Sequence, residues 1–496
     1  MRKLLITFFF LLPLLAPGLG GATPVWTDAA KAELQTATAN SAVDGAKPTV
    51  SQLATLLNLQ PLTEAPSTAL RPPFAEGSPF KLVSIDLQLA MTQLSIHVGT
   101  NNQIRVLRAQ GDRRDVLIVQ SGFASLRDIA KSAELQGLDG LRMVNGVAVL
   151  TRPLIIWLGA GLKLEPGDNL QMDATSGAFL LGFGQIEMVG AQVDTSNVGS
   201  APDAFRPFVL ITGQGTLYAE DTSFSGLGMV GAEPFNGVTV AARGLFPPKF
   251  PPVLVHNAFD EIATIAMIGA SKAVISDNLI KNGRAGGITL VGAQGADVVG
   301  NSVVGTKGGA GIKIANGTDV VLAGNLVSGG ARNGVSIDSN SKSIKIVGNA
   351  ILENAQTGIA AQRTTCVLVN GNSIAKNGAA GLRINESGTS RIQGNALILN
   401  TTAGVNVNAQ QKGGRLEISD NLLVGNRSGL TGVAIGEVVL DQNNFTAQMP
   451  RLFDGEFSQY LPAYLTQVQQ HSNQSYRIAA QDGAETAAFL TACNKG

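Results

Sequence analysis

Eight polar side chains in the second half of this 496-residue chain have the types and spacing to hold a charged ligand: Lys307, Lys313, Asn316, Asp338, Asn340, Arg363, Arg383 and Glu386. Lysine and arginine neutralise carboxylates, and the amides and acids offer hydrogen-bonding edges, so the set suits an extended acidic polymer. The same stretch is poor in groups that move protons. Histidine and tyrosine are natural acids and bases, yet neither occurs between His256 and Tyr460. The three histidines, His97, His256 and His471, fall outside the clear repeats and are expected in core or surface roles. No catalytic residue is assigned. Neither a cysteine metal spacing nor an aspartate cluster for calcium is present, so no metal and no cofactor are expected.

What positions these residues is a repeat. An Asn followed by apolar residues recurs at Asn278, Asn301, Asn325, Asn349, Asn372, Asn395, Asn421 and Asn443, and a Gly before alternating apolar residues recurs at Gly287, Gly311, Gly334, Gly358, Gly381, Gly404 and Gly432. Two registers in phase at about 23 residues mean a stack of equal coils, each pairing its strands with those above and below. Stacked Asn side chains can form a hydrogen-bonded ladder inside a turn. The glycines mark turn positions where a side chain would clash or φ must be positive. In Gly287-Ile288-Thr289-Leu290 the apolar pair points inward, so Thr289, Lys313, Ser336, Ala360, Arg383, Asn406 and Ala434 form an outward row. A leucine-rich repeat would place Asn after regularly spaced leucines, which is not the pattern here. The fold expected is all-β, a single-stranded right-handed parallel β-helix of the pectate-lyase-like solenoid type.

Around the coils, residues 1–22 read as a signal peptide, with Arg2 and Lys3 before an apolar run too short to span a membrane. The mature chain is then expected to be periplasmic, or secondarily secreted, without a membrane span. Residues 23–79 form an Ala/Thr/Pro-rich tether with a short helix near Ser51 to Leu57, and 80–150 a small mixed N-terminal cap with strands at Lys81 to Leu87 and Asp115 to Val119 and a helix at Leu126 to Leu135. The β-helix takes 151–450 and a helical C-terminal cap 451–496, with helices at Tyr460 to Gln470 and Ala479 to Ala492 covering the last strand edge. Cys366 and Cys493 could be bridged in an exported protein or stand as independent thiols.

Composition agrees with a solenoid: 59 glycines and only 5% aromatic residues suit repeated tight turns better than a jigsaw core. A formal net charge of zero argues against nucleic acid. Residues 261–440 carry 15 Lys and Arg against 10 Asp and Glu, a mild attraction for an acidic polysaccharide.

The block Pro202-Asp203-Ala204-Phe205-Arg206-Pro207-Phe208, with Gly177-Ala178-Phe179-Leu180 before it and Gly305-Thr306-Lys307 after it, resembles the periplasmic mannuronan epimerases of alginate-producing bacteria, over about residues 115–410. The resemblance implies a parallel β-helix, a periplasmic location, a groove for a polyuronate and a scaffold role during polymer export. The family's Asp-Pro-His-Asp, which supplies the base, is replaced by Thr289-Leu290-Val291-Gly292, and the family's carboxylate-neutralising Arg aligns with Asn316. Asp338, Asn340 and Arg383 match family positions. The function expected is therefore noncatalytic binding of an acidic exopolysaccharide, with proteins of an export complex as partners. The rivals are an active epimerase or lyase with a displaced base, and a structural or adhesive solenoid.

Overall fold

The computed structural model describes residues 71–74, 79–111, 114–201, 203–243, 247–470, 475–480 and 487–493. The signal peptide, most of the tether with its helix near Ser51 to Leu57, Pro202 and His471 lie outside the described residues.

The chain winds as a right-handed parallel β-helix of about 13 turns, about 24 residues each. Three sheets of 15, 14 and 14 strands, here called sheets I, II and III, run the length of the stack. One coil shows the plan: Ile288–Val291 lies in sheet I, Asp297–Val299 in sheet II and Ser302–Val304 in sheet III, before Ile312–Ala315 returns to sheet I. Pairing is parallel and in register, Ile288 opposite Ile312 and Thr289 opposite Lys313. Like residues therefore stack on like. The inward file Ile265, Ile288, Ile312, Val335, Ile359, Leu382, Val405 and Leu430 is wholly buried, each side chain contributing roughly 2 kcal/mol of burial.

The turn between sheets II and III holds the expected ladder. From Asn257 to Asn443, each Asn gives its backbone N–H and side-chain amide to the Oδ1 of the next, at 2.8–3.1 Å. A second ladder stands in the turn between sheets III and I, through Asn354, Asn377, Asn400 and Asn426, and ends on Gln448.

The recurrent glycines are required by space rather than by φ. A Cβ on Gly358 would lie 2.5 Å from Cγ2 of Ile374 and 2.6 Å from the carbonyl oxygen of Gly381, and φ there is not positive. Gly358→Val is expected to cost about 3 kcal/mol through overpacking. Gly371 has φ +63° and nothing within 4 Å, so Gly371→Ala should cost only about 1 kcal/mol of backbone strain. Urea midpoints of the two variants compare these costs.

Helices close the ends. Helices α1 (Leu87–Val98), α2 (Gln103–Ala109) and α3 (Leu126–Gln136) belong to the N-terminal region, where α1 and α2 were not anticipated. A Ser125/Asp128 capping box starts α3, which sends Leu126, Ile129, Ala130 and Ala133 into the first end of the core. At the other end Phe453, Phe457 of a 3-10 turn and Tyr464 of α4 (Leu461–Gln469) cover it. The expected helix at Ala479 to Ala492 is described only as α5 (Phe489–Cys493), preceded by the strand Tyr476–Ile478 on the edge of sheet II. Cys366 and Cys493 are joined as a disulfide that anchors α5 to sheet II.

Candidate functional site

Because the strand period is two, alternate residues of sheet I leave the core and form files one coil apart. The first file runs Ile155, Leu181, Leu210, Thr239, Ala266, Thr289, Lys313, Ser336, Ala360, Arg383, Asn406, Thr431 and Asp454. Thr431 replaces the expected Ala434. The coil there is longer, and its small residue against the core is Gly429 rather than Gly432, since Val405 pairs with Leu430. A parallel second file runs Ala241, Ile268, Val291, Ala315, Asp338, Gln362, Asn385, Asn408 and Val433.

Burial divides this face in two. From Ile155 to Ala266 the first file is at most 1% exposed. Leu87, Ala90, Met91 and Leu94 of α1 and Val106 of α2, with Met229, Ala232 and Phe235 from the preceding turn, cluster over it. The Arg284 guanidinium holds that turn by donating to the carbonyls of Leu227 at 2.9 Å and Gly228 at 2.6 Å. Burial, reinforced by the charge of Arg206, pushes the Arg284 pKa down to about 10. It remains a cation at neutral pH. Beyond Thr289 the roof ends, and the face is open to Asp454 except at the small Ala315 and Ala360, which are buried between their neighbours, a length of about 34 Å at the usual strand spacing.

On the open part, Lys313 Nζ lies 3.9 Å from Asp338 Oδ2, and Arg363 lies 3.8 Å from Glu386. Both pairs are partly exposed and contribute little stability, so a ligand carboxylate can displace them. Arg383 has no ion pair among the described residues. The Oδ1 of Asp338 is buried with no hydrogen-bond partner. Asn385 donates to Glu386 at 3.2 Å and Asn408 to Asn406 at 2.7 Å. Asn316, Asn340, Arg363 and Glu386 all have φ between 48° and 64°, and they line the rim where sheet I turns into sheet II. Lys307 stands on the opposite rim, 3.3 Å from Glu261.

The imidazoles and phenols among the described residues lie elsewhere. His97, on α1, packs 5.7 Å from the Phe183 ring and beside Gly213, under the roof, and burial lowers its pKa. Gly213 is three coils from the turn after Val291, about 14 Å away. His256 is exposed in a turn between sheets II and III, 4.0 Å from both Asp221 and Asp277. Tyr460, Tyr464 and Tyr476 pack on the end of the core. Sequence reasoning missed the second Asn ladder, which a constant offset of five residues from the first reveals, and the outward amides Gln362 and Asn408.

Fold and face together define a parallel β-helix protein with one long polar face, roofed at its N-terminal end. The family model described as periplasmic copper-binding protein (NosD) matches residues 253–449. Among solved structures, a mutant of the periplasmic alginate epimerase AlgG is similar with a TM-score of 0.64 and 19% identity, over 80% of this chain and 98% of that one. AlgG without mutation gives a TM-score of 0.59 and 19% identity, over 77% and 93%. At such identity the likeness carries the fold, and at that level the resemblance read from the sequence holds. No curated protein matches the chain by sequence. The copper in the matching family's description finds no ligand set here: residues 253–449 offer His256, a disulfide-bonded Cys366, Met267 in the core and Met449. Among the described residues no three His, Cys, Asp or Glu side chains gather around a metal position.

Proposed function

We propose that the protein binds an acidic polysaccharide along the open face of sheet I in the periplasm, as a noncatalytic relative of the mannuronan epimerases that assists modification or export of the polymer. The observation that carries this reading is the single register from Thr289 to Asp454, which sets Lys313 and Arg383 in one file three coils apart with the amides of Gln362, Asn385 and Asn408 beside it. A strand spacing of about 4.8 Å presents one polar side chain per coil to a ligand lying along the stack. The cations would meet carboxylates and the amides would meet hydroxyls. His97, His256, Tyr460, Tyr464 and Tyr476 stand outside this face, which leaves a bound uronate with no nearby imidazole or phenol among the described residues to exchange its proton.

Affinity electrophoresis in gels containing polymannuronate, polygalacturonate or neutral dextran tests binding, and NMR of the recovered polymer tests catalysis. Retardation by an acidic polymer with unchanged uronate configuration is expected. Arg383→Ala should weaken retention about tenfold, the effect of one partly exposed charge-assisted hydrogen bond. Retention equal in dextran, or efficient epimerisation of polymannuronate, would sink the proposal. Unsaturated sugar absorbing in the ultraviolet would instead point to a lyase.

A further inference from the structure

We infer that the groove is a dead end which grips a polysaccharide by one terminus, the terminal sugar entering a cavity under the edge of the α1–α2 roof. This rests on the binding reading above. The cavity, of about 280 Å³, sits where the roofed half of sheet I meets the open half. Its apolar surfaces come from Ala241 and Ile268 of the second file, with Val98 at the end of α1 and Pro234. Asn101, Glu233 and Arg243 supply the polar lining. That volume lies just below the range of about 300–1,000 Å³ usual for ligand pockets, so it admits one ring rather than an oligosaccharide.

The lining is chemically two-sided, as a sugar is. Ala241 and Ile268, at most 2% exposed, back the cavity from beneath, and the partly exposed Val98 offers apolar surface to the C–H face of a pyranose. Arg243 and Glu233, 3.8 Å apart and each about half exposed, stand ready for the ring's edge. Arg243 takes a terminal carboxylate and Glu233 accepts from hydroxyls. Beyond the cavity the same file continues through Val291 and Ala315 to Asp338, so the rest of the polymer lies on the open face without changing direction. Upstream there is no continuation. Thr239 and Leu210 are wholly buried beneath the roof. The roof is fixed to the turns that lead into sheet I: Asn102 donates to the carbonyl of Glu233 at 2.8 Å, and Arg105 to those of Val230 and Asp203.

End recognition has a signature that lengthwise binding lacks. Titration calorimetry with size-fractionated polymannuronate and polygalacturonate chains, at equal molar concentration of chains, should give one protein per chain however long the chain is. Arg243→Ala, a change on the surface, should reduce affinity about tenfold at every length. Filling the cavity mouth with Asn101→Trp should do the same. Stoichiometry rising in proportion to length, or full affinity in both variants, would overturn the inference while leaving the groove intact as a binding face. If neither polymer binds, the binding reading falls and this inference with it.

Discussion

Asn349→Leu is expected to lower the stability of the fold by about 4 kcal/mol, more than any single change on the open face. The Asn349 side chain is 2% exposed. Its Oδ1 accepts from the backbone N–H of Asn325 at 2.8 Å and from that residue's amide at 2.9 Å, while its own amide donates to the carbonyl of Leu322 and to Asn372 Oδ1, both at 2.9 Å. Leucine fills nearly the same space, removes all four of these bonds and leaves the buried backbone N–H of Asn325 without its acceptor, while Asn372 Oδ1 keeps the backbone N–H of residue 349 and the Asn325 amide keeps the Val298 carbonyl. Each lost bond costs about 0.5–1.5 kcal/mol and a stranded buried donor about 1–3 kcal/mol, which together give a loss near 4 kcal/mol. Position in the stack should modulate the loss. A solenoid is stabilised by nearest-neighbour interfaces, so a lesion in a central coil disrupts two of them. Asn443, the last rung, is partly exposed and donates to the Ile418 carbonyl at 2.7 Å. Asn443→Leu should therefore cost about half as much. Urea denaturation followed by circular dichroism compares the two; equal midpoints would show that the ladder is not the structural spine.

The coil, its period and its inward faces were readable because they depend on local alternation repeated many times. Thr289, Lys313, Ser336, Ala360, Arg383 and Asn406 fall in one file as their spacing from the glycines requires. The failure at Thr431 is instructive. The coil after Gly404 carries an extra turn at residues 409–414, and counting glycines settled on Gly432, whose Cβ would strike the carbonyl of Val407, instead of Gly429, whose Cβ would strike Phe445. Only the cross-strand pairing separates two glycines three residues apart.

The roof was not readable in the same way, since α1 and α2 meet the outside of a sheet built from distant coils. A clue existed in the files themselves. Ile155, Leu181 and Leu210 are apolar at positions where an open coil carries Lys313, Arg383 or Asn406. Outward apolar residues in consecutive coils imply a cover, and helices close at hand in the sequence are the natural candidates. The site inherits its shape from this feature, because the roof is what turns a continuous face into a groove with one closed end.

Reduction of the Cys366–Cys493 bridge is expected to release α5 from sheet II and to lower global stability by about 2–4 kcal/mol. The bridge closes a stretch of 127 residues, for which the chain-entropy treatment gives an upper bound of about 5 kcal/mol. Within the folded protein the local contacts cannot replace it. The backbone N–H of Phe489 donates to Glu417 Oε1 at 3.0 Å, and the Phe489 ring lies under the Arg391 guanidinium at 5.2 Å. Burial of one phenyl ring contributes roughly 2–3 kcal/mol. Ordering the seven residues 487–493 costs about 1–2 kcal/mol each for the backbone. The ordering cost wins once the covalent link is gone. Glu417 would keep its partner, because Arg391 also binds it at 2.6 Å, and the underlying sheet should stay paired. Hydrogen exchange measured with and without reductant, and on Cys493→Ser, should show protection lost at 487–493 and retained at Thr365–Asn370. Protection of α5 unchanged by reduction would mean that its side-chain contacts suffice and that the bridge is dispensable there.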